Sequence, residues 1–345
     1  MGRACTVAVD AMGGDRAPGE IVAGALQAAH ELDVGVLLVG RPDAIEPLFP
    51  AGGPPDGVEV VAASEVVAMH DDPASSVRTK KDSSLVRAAE AVRDGRAQAM
   101  VGAGNTGATM ASALLRCGRI KGVARPGIAV PIPVPGSHPQ ILIDGGATVD
   151  CDPEWLLQFA RMGSEYARAR FRIDAPTIGL LSNGEEAGKG DDLRKRAFSL
   201  LEPLPGFVGN VEGRDLMATE PDVVVTDGFT GNVALKTLEG ALRQVAGLVF
   251  GVLESTPEAK EAGAVVAPLL LDAAAELDPD ATGGAVLLGI DGVCVISHGS
   301  SSARAIVNAV KVAADCVDVD VVGRIAGAIS DAGAATANVT AGDAG

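Results

Sequence analysis

The sequence predicts an α/β fold: a mostly parallel sheet with helices on both faces and a helical hairpin standing off it. Three observations carry that prediction. Short β-branched apolar runs alternate with stretches of helical period along most of the chain, the pattern of strands buried on both faces and joined by crossover helices. Apolar residues make up 47% of the 345 but aromatics only 3%. Ala, Val and Leu must therefore fill the core, which suits helices packed closely on a parallel sheet. Glycine-rich or small-polar loops recur where an apolar run gives way to a helical stretch, and a crevice at strand ends lined by such loops is where α/β sheets bind ligands.

In chain order, strands are expected at Thr6–Val9, Val34–Val39, Val58–Ala62, Ala99–Val101, Ile128–Ile132, Ile141–Ile143, Ile178–Leu181, Val223–Val225 and Val293–Ile296. Helices are expected at Glu20–Leu32, Ser83–Asp94, Thr106–Arg119, Glu154–Arg170, Val233–Leu253 and Ala303–Ala314. Proline-rich Pro131–Pro139 reads as a loop. Between Leu238 and Leu277 two helical stretches meet around Ser255-Thr-Pro257 with no strand between them, which gives the hairpin. Its apolar residues, Leu248, Val252 and Leu269 among them, suit a dimer interface or core. Glu254, Glu258, Glu261, Asp272 and Glu276, with few cations, argue against a membrane surface. Residues 1–330 are expected to form one catalytic unit, or two intimately joined lobes, that includes the 238–277 hairpin. The Ala- and Gly-rich tail at 331–345 is expected to be disordered.

The formal charge of −17 argues against nucleic acid and anionic membrane as general partners. Positive charge is local, in Arg78-Thr-Lys-Lys81 with Arg87, Arg93 and Arg96, and again in Arg194-Lys-Arg196. Such clusters are either solvated helix faces or docking patches for an acidic partner. The five cysteines are scattered and lack Cys-x-x-Cys spacing, so reduced thiols are expected rather than a disulfide framework or a zinc site. No apolar run approaches the ~20 residues that span a bilayer. The strand-like Cys5–Asp10 leaves no room for a signal peptide, and a cytoplasmic protein is expected.

Gly102-x-Gly104-x-x-Gly107 follows a strand and opens a helix, which is the local dinucleotide fingerprint. The acidic residue required about 20 positions later is missing, so NAD is not expected. Gly184-Glu-Glu-Ala-Gly-Lys189-Gly190 is not a Walker motif, because its glycine interval is short and glycine replaces the Ser or Thr after the lysine. A lysine in such a turn can still neutralise phosphate. His298-Gly-Ser-Ser-Ser302 offers a general acid or base in His298, or simply a structural histidine, followed by serines suited to a helix N-cap and anion nest. Asp10, Asp15, Asp144 and Asp227 lie at strand ends; their spacing does not converge, so they are read as loop-ordering carboxylates and no metal is expected.

Six of these motifs occur in one order over nearly the whole chain: Asp10-Ala-Met-Gly-Gly-Asp15 with Pro18, Ser75-Ser-Val-Arg-Thr-Lys-Lys-Asp-Ser-Ser84, Gly102-Ala-Gly-Asn-Thr-Gly-Ala108, Asn210-Val-Glu-Gly-Arg-Asp215, Asp227-Gly-Phe-Thr-Gly-Asn-Val233 and His298-Gly-Ser-Ser301. Together they resemble the phosphate acyltransferase family of bacterial phospholipid synthesis, the PlsX type. The resemblance implies a homodimeric three-layer α/β/α fold similar to isopropylmalate dehydrogenase and phosphotransacetylase, without a cofactor. It implies transfer of a long-chain acyl group from acyl-[acyl-carrier protein] to inorganic phosphate, with the acyl phosphate passing to a membrane glycerol-3-phosphate acyltransferase. Attachment at the inner face of the membrane would be peripheral, although the hairpin is less basic than is common in the family. On this basis Asn105, Thr106, Asn232, Ser300 and Ser301 are expected to handle phosphate, Lys189 to supply charge and His298 to protonate the departing sulfur. Arg78, Lys80, Lys81 and Arg87 would meet the acidic carrier protein. The alternatives are a phosphotransacetylase acting on short acyl-CoA and a non-catalytic membrane scaffold for lipid enzymes.

Overall fold

The computed structural model describes residues 5–277 and 282–342. Eleven strands join one sheet: β1 (Cys5–Asp10), β2 (Val34–Gly40), β3 (Val58–Ala62), β4 (Ala99–Gly102), β5 (Gly127–Ile132), β6 (Gln140–Ile143), β7 (Ile178–Leu181), β8 (Phe207–Val211), β9 (Val223–Val225), β10 (Ala285–Leu288) and β11 (Val293–Ile296). Their order across the sheet is β3-β2-β1-β4-β11-β10-β5-β6-β9-β7-β8. The first five run parallel to one another, as do the last four. Between these blocks, β10 is antiparallel to β11 and to β5, and β5 to β6. The two parallel halves therefore run in opposite directions.

That reversal places the site. Ile143, the last residue of β6, pairs with Ala129 of β5. Ile296, the last residue of β11, pairs with Ala285, whose neighbour Val286 also pairs with Ala129. Strand ends from both halves thus arrive at the same stretch of β5, and the loops that follow them close over it.

Alternate strand residues feed opposite faces of the sheet. Val7, Val9, Val36 and Leu38 pack with Ile21, Phe159 and Ile306 of the helices Gly19–Glu31, Pro153–Phe171 and Ala303–Asp318. Ala8, Leu37, Val39 and Met100 pack on the other face with Leu85 and Ala108 of Ser84–Arg93 and Thr106–Cys117. Helix starts are set by side-chain caps: Ser83 accepts from the Val86 N–H, Asn105 from Ala108 and Asp227 from Thr230. All five cysteines are free thiols, and burial pushes Cys151 up to about 12.

The nine expected strands are present, and two more join them. β8 contains Gly209 and Asn210, which are poor strand formers, and it survives as an edge strand. β10, Ala-Val-Leu-Leu, has no period that separates strand from helix. The hairpin consists of Gly228–Leu253 and Pro257–Glu276, with Thr256 capping the second helix. The first helix begins five residues before the expected Val233, because Asp227 caps it there. The helix Val321–Gly342 continues past Asp331, where the sequence suggests a disordered tail; alanine, the strongest helix former, recurs through that stretch. Residues 343–345 of that tail, and 1–4 and 278–281, lie outside the described residues.

Gly231 fixes how closely the long helix approaches the β6 loop: a Cβ at this position would collide with the Asp144 carbonyl oxygen and crowd the Thr226 methyl at 2.9 Å. Gly231→Ala should cost about 1–3 kcal/mol through this overpacking, measured as a lower urea midpoint with an unchanged slope.

Candidate active site

A cavity of about 390 Å³ lies over β5, with Ile128, Val130 and Ile132, alternate residues on one face, in its wall. The loops after β1, β4 and β11 close one side. A Cβ on Gly13 would stand 3.0 Å from the Gly104 nitrogen, and one on Gly104 would stand 3.1 Å from the Gly13 Cα, so these backbones pass at a distance that side chains would forbid. The Asp15 N–H donates to the Gly299 carbonyl at 2.8 Å and ties the β1 loop to the β11 loop.

Asp144 organises the opposite side. Its carboxylate accepts from the Ile128 N–H at 2.9 Å, Gly146 at 3.0 Å, Ala147 at 2.9 Å and Thr148 at 2.7 Å. Burial pushes this carboxyl up and the N–H donors pull it back, leaving it above the usual range. Asn232 stands on the cavity wall and its amide donates to the Gly145 carbonyl at 3.3 Å.

Asn232, His298, Thr106 and Ser301 all line this one cavity. His298 Nδ1 lies 2.9 Å from the Ser300 hydroxyl oxygen and accepts from the Ser300 N–H at 3.4 Å. The buried Ser301 hydroxyl shares a 2.7 Å hydrogen bond with Ser297.

Other expected residues are placed differently. Asn105 caps Ala108 through its oxygen, while its amide donates to the carbonyls of Met69 at 3.0 Å and Asp71 at 3.1 Å. Both donors are occupied, so its side chain holds the β4 loop to the 69–71 segment instead of presenting donors to a ligand. Lys189 is exposed and packs its stem beside Gly184, away from the cavity wall. In the basic patch, Lys80 is engaged by Asp71 at 2.5 Å and by the Val66 carbonyl, and Arg87 by Asp82 and Glu90. Arg78 and Lys81 are exposed and without an ion pair among the described residues.

Arg194, read from the sequence as part of a surface cluster, is buried. Its guanidinium pairs with Asp227 and donates to the Thr230 hydroxyl at 2.9 Å, the Leu181 carbonyl at 3.3 Å and Asp191 at 2.8 Å. Burial pushes Asp227 up, but the Thr230 N–H and hydroxyl and the Arg194 guanidinium outweigh it and hold the carboxyl below its ordinary value. This network fixes the first turn of the helix that carries Asn232. Sequence reasoning also missed Lys236 and Glu239, which line the cavity and pair at 2.8 Å. The signal was the spacing: 232, 235, 236, 239 and 242 form one helical stripe, and all five line the cavity.

A three-layer α/β/α sheet of this kind is shared with solved phosphotransacetylases. A phosphotransacetylase from Streptococcus pyogenes superposes with a TM-score of 0.58 at 16% identity, covering 96% of this chain and 95% of that one. EutD phosphotransacetylase from Staphylococcus aureus gives 0.57 at 14% identity, covering 91% and 94%. These likenesses show the fold. The fatty acid synthesis protein family model matches residues 5–324, and the chain belongs to that family. It is 48% identical over 310 residues to the phosphate acyltransferase of Heliobacterium modesticaldum, covering 89% of this chain and 92% of that protein. It is 46% identical over 314 residues to that of Desulfitobacterium hafniense strain DSM 10664 / DCB-2, covering 90% and 94%. It is an enzyme of the phosphate acyltransferase class, acting in fatty acid and phospholipid synthesis. No helix among the described residues is long and apolar enough to cross a membrane.

Because Asp227 is held below its ordinary value, its stabilising contribution is fully present above the unfolded carboxyl pKa of about 3.9 and is lost as pH falls through the lowered folded value. Asp227→Asn leaves buried Arg194 with only the exposed Asp191 as its counter-ion and should cost about 3 kcal/mol near neutral pH, the low end for breaking a buried pair. Urea midpoints measured from pH 7 down to about 2 should show the variant losing less stability than the wild type on acidification.

Proposed function

We propose that this chain transfers a long-chain acyl group from acyl-[acyl-carrier protein] to inorganic phosphate, giving acyl phosphate and free carrier thiol. The observation that carries this reading is the mixed chemistry of the cavity wall. Gly104, Thr106, Asn232 and His298 stand at or beside glycine-rich strand-end loops, while Ile132 packs with Leu235 and Leu238 in an apolar cluster on the same wall. An apolar slot continuous with a cluster of polar donors fits an acyl chain whose thioester lies among the loops.

Phosphate is the nucleophile, so no covalent enzyme intermediate is needed. A phosphate oxygen attacks the thioester carbon, the carbonyl oxygen takes up the negative charge, and on collapse the carbon–sulfur bond breaks. The thiolate leaves with a pKa near 8.5 and takes a proton. Thr106 and Asn232 supply donors for phosphate and the developing oxyanion, and Ser300 holds His298 through its hydroxyl. Hydrogen phosphate loses its proton as it becomes the acyl phosphate, and His298 relays that proton to the departing sulfur. Ser301 acts through the shape of the loop. Arg78 and Lys81, the unpaired cations of the patch, meet the acidic carrier protein, and the product passes to a membrane glycerol-3-phosphate acyltransferase. A homodimer peripheral to the membrane is part of the same reading.

Acyl phosphate trapped as its hydroxamate tests the proposal. Purified protein with phosphate should form product from palmitoyl-carrier protein and none from acetyl-CoA. Product from acetyl-CoA alone would overturn the reading in favour of a phosphotransacetylase, and no product from either donor would remove acyl transfer altogether.

A further inference from the structure

We infer that Lys236 is the residue that binds the incoming phosphate by charge, and that Glu239 holds its ammonium until phosphate displaces it. The inference rests on the reading of the cavity as the acyl-transfer site. Lys236 is the one lysine or arginine on the described wall of the cavity. It lies one helical turn after Asn232, a rise of about 6 Å, on the same stripe of the helix. The wall also carries the carboxylates of Asp15 and Glu239. A phosphate entering there meets two negative groups, and only Lys236, besides any charge on His298, opposes them.

The pairing geometry suits exchange. Lys236 Nζ reaches both oxygens of Glu239, at 2.8 and 3.0 Å, which satisfies a lysine that has no other anion. The Lys236 side chain is 49% exposed and that of Glu239 24%, and an exposed pair of this kind adds little stability. Exchanging the carboxylate for a phosphate dianion replaces one negative charge by nearly two and keeps the same donor in use. Lys189, the sequence's choice for this charge, has no place on the wall. The same oxyanion chemistry could come from the phosphodiester that tethers the acyl arm to its carrier protein. Lys236 stands one turn from Asn232, whose amide reaches the Gly145 carbonyl of the strand-end loop, and this closeness to the loops favours inorganic phosphate.

Initial rates with palmitoyl-carrier protein, varying inorganic phosphate and acyl donor separately, test this. Lys236→Met should raise KM for phosphate about tenfold and leave KM for the acyl donor within about twofold, with Lys236→Arg restoring most of the loss. Glu239→Gln should move KM for phosphate the other way, about threefold lower, since it removes the competing anion; a merely structural pair would not give opposite signs. Lys260→Met, on the second hairpin helix, serves as control and should change neither constant. A Lys236→Met enzyme with wild-type KM for phosphate, or one whose KM rises only for the acyl donor, would overturn the inference. Wild-type protein that makes no acyl phosphate would instead overturn the underlying activity.

Discussion

The direction of the sheet reverses at β10 and β5, and the Asp144 carboxylate holds the reversal in place. Four backbone N–H groups converge on it, one from Ile128 in β5 and three from the loop after β6. With the Gly145 N–H bond to the Ile128 carbonyl at 2.9 Å, they fix the loop leaving β6 to the strand beneath it. Gly231 then packs the long helix against the Asp144 carbonyl, and Asn232, the next residue, is set over the cavity. The other half of the sheet delivers the Gly104 and His298 loops to the same strand through its opposite polarity. The site is thus a product of register: two sets of strand ends meet because their strands are short and antiparallel partners lie between them.

Much of this was legible in the sequence, and the failures have physical causes. Long, β-branched runs gave nine strands because burial on both faces selects for them. β10 and β8 were missed where that selection is weak, in a four-residue leucine-containing strand and an edge strand holding Gly209 and Asn210. The cavity wall carries Asn232, His298, Thr106 and Ser301, which the sequence singles out because their loops are polar and glycine-rich. Lys236 and Glu239 are not singled out, since a charged pair three residues apart on an amphipathic helix looks like any solvated face until the cavity beneath it is known. Lys189 and Asn105 show the converse. A residue type suited to phosphate says nothing about where the chain sends it or which backbone groups claim its donors first.

The electrostatics of the two helix ends also divide the labour. Asp227 and Arg194 are buried against each other and spend their charge on holding a helix start. Lys236 and Glu239, about two and a half and three and a third turns further on, are partly solvated and keep their charge available. Burial thus decides which ion pair is architecture and which can exchange partners with a ligand.

The helix Gly228–Leu253 is 26 residues long without a break, a rod of roughly 39 Å. Its first turn is pinned by Asp227 and Gly231, its second to fourth turns line the cavity, and its far half leaves Leu248 and Val252 71% and 60% exposed. Such a rod is a lever with its fulcrum at the active site. A loop of the same length would absorb a push at one end, but a helix carries it to the other. A surface that covered Leu248 would therefore act on the same solid body that positions Asn232 over the cavity, and occupancy of the hairpin and the shape of the cavity would become one mechanical quantity.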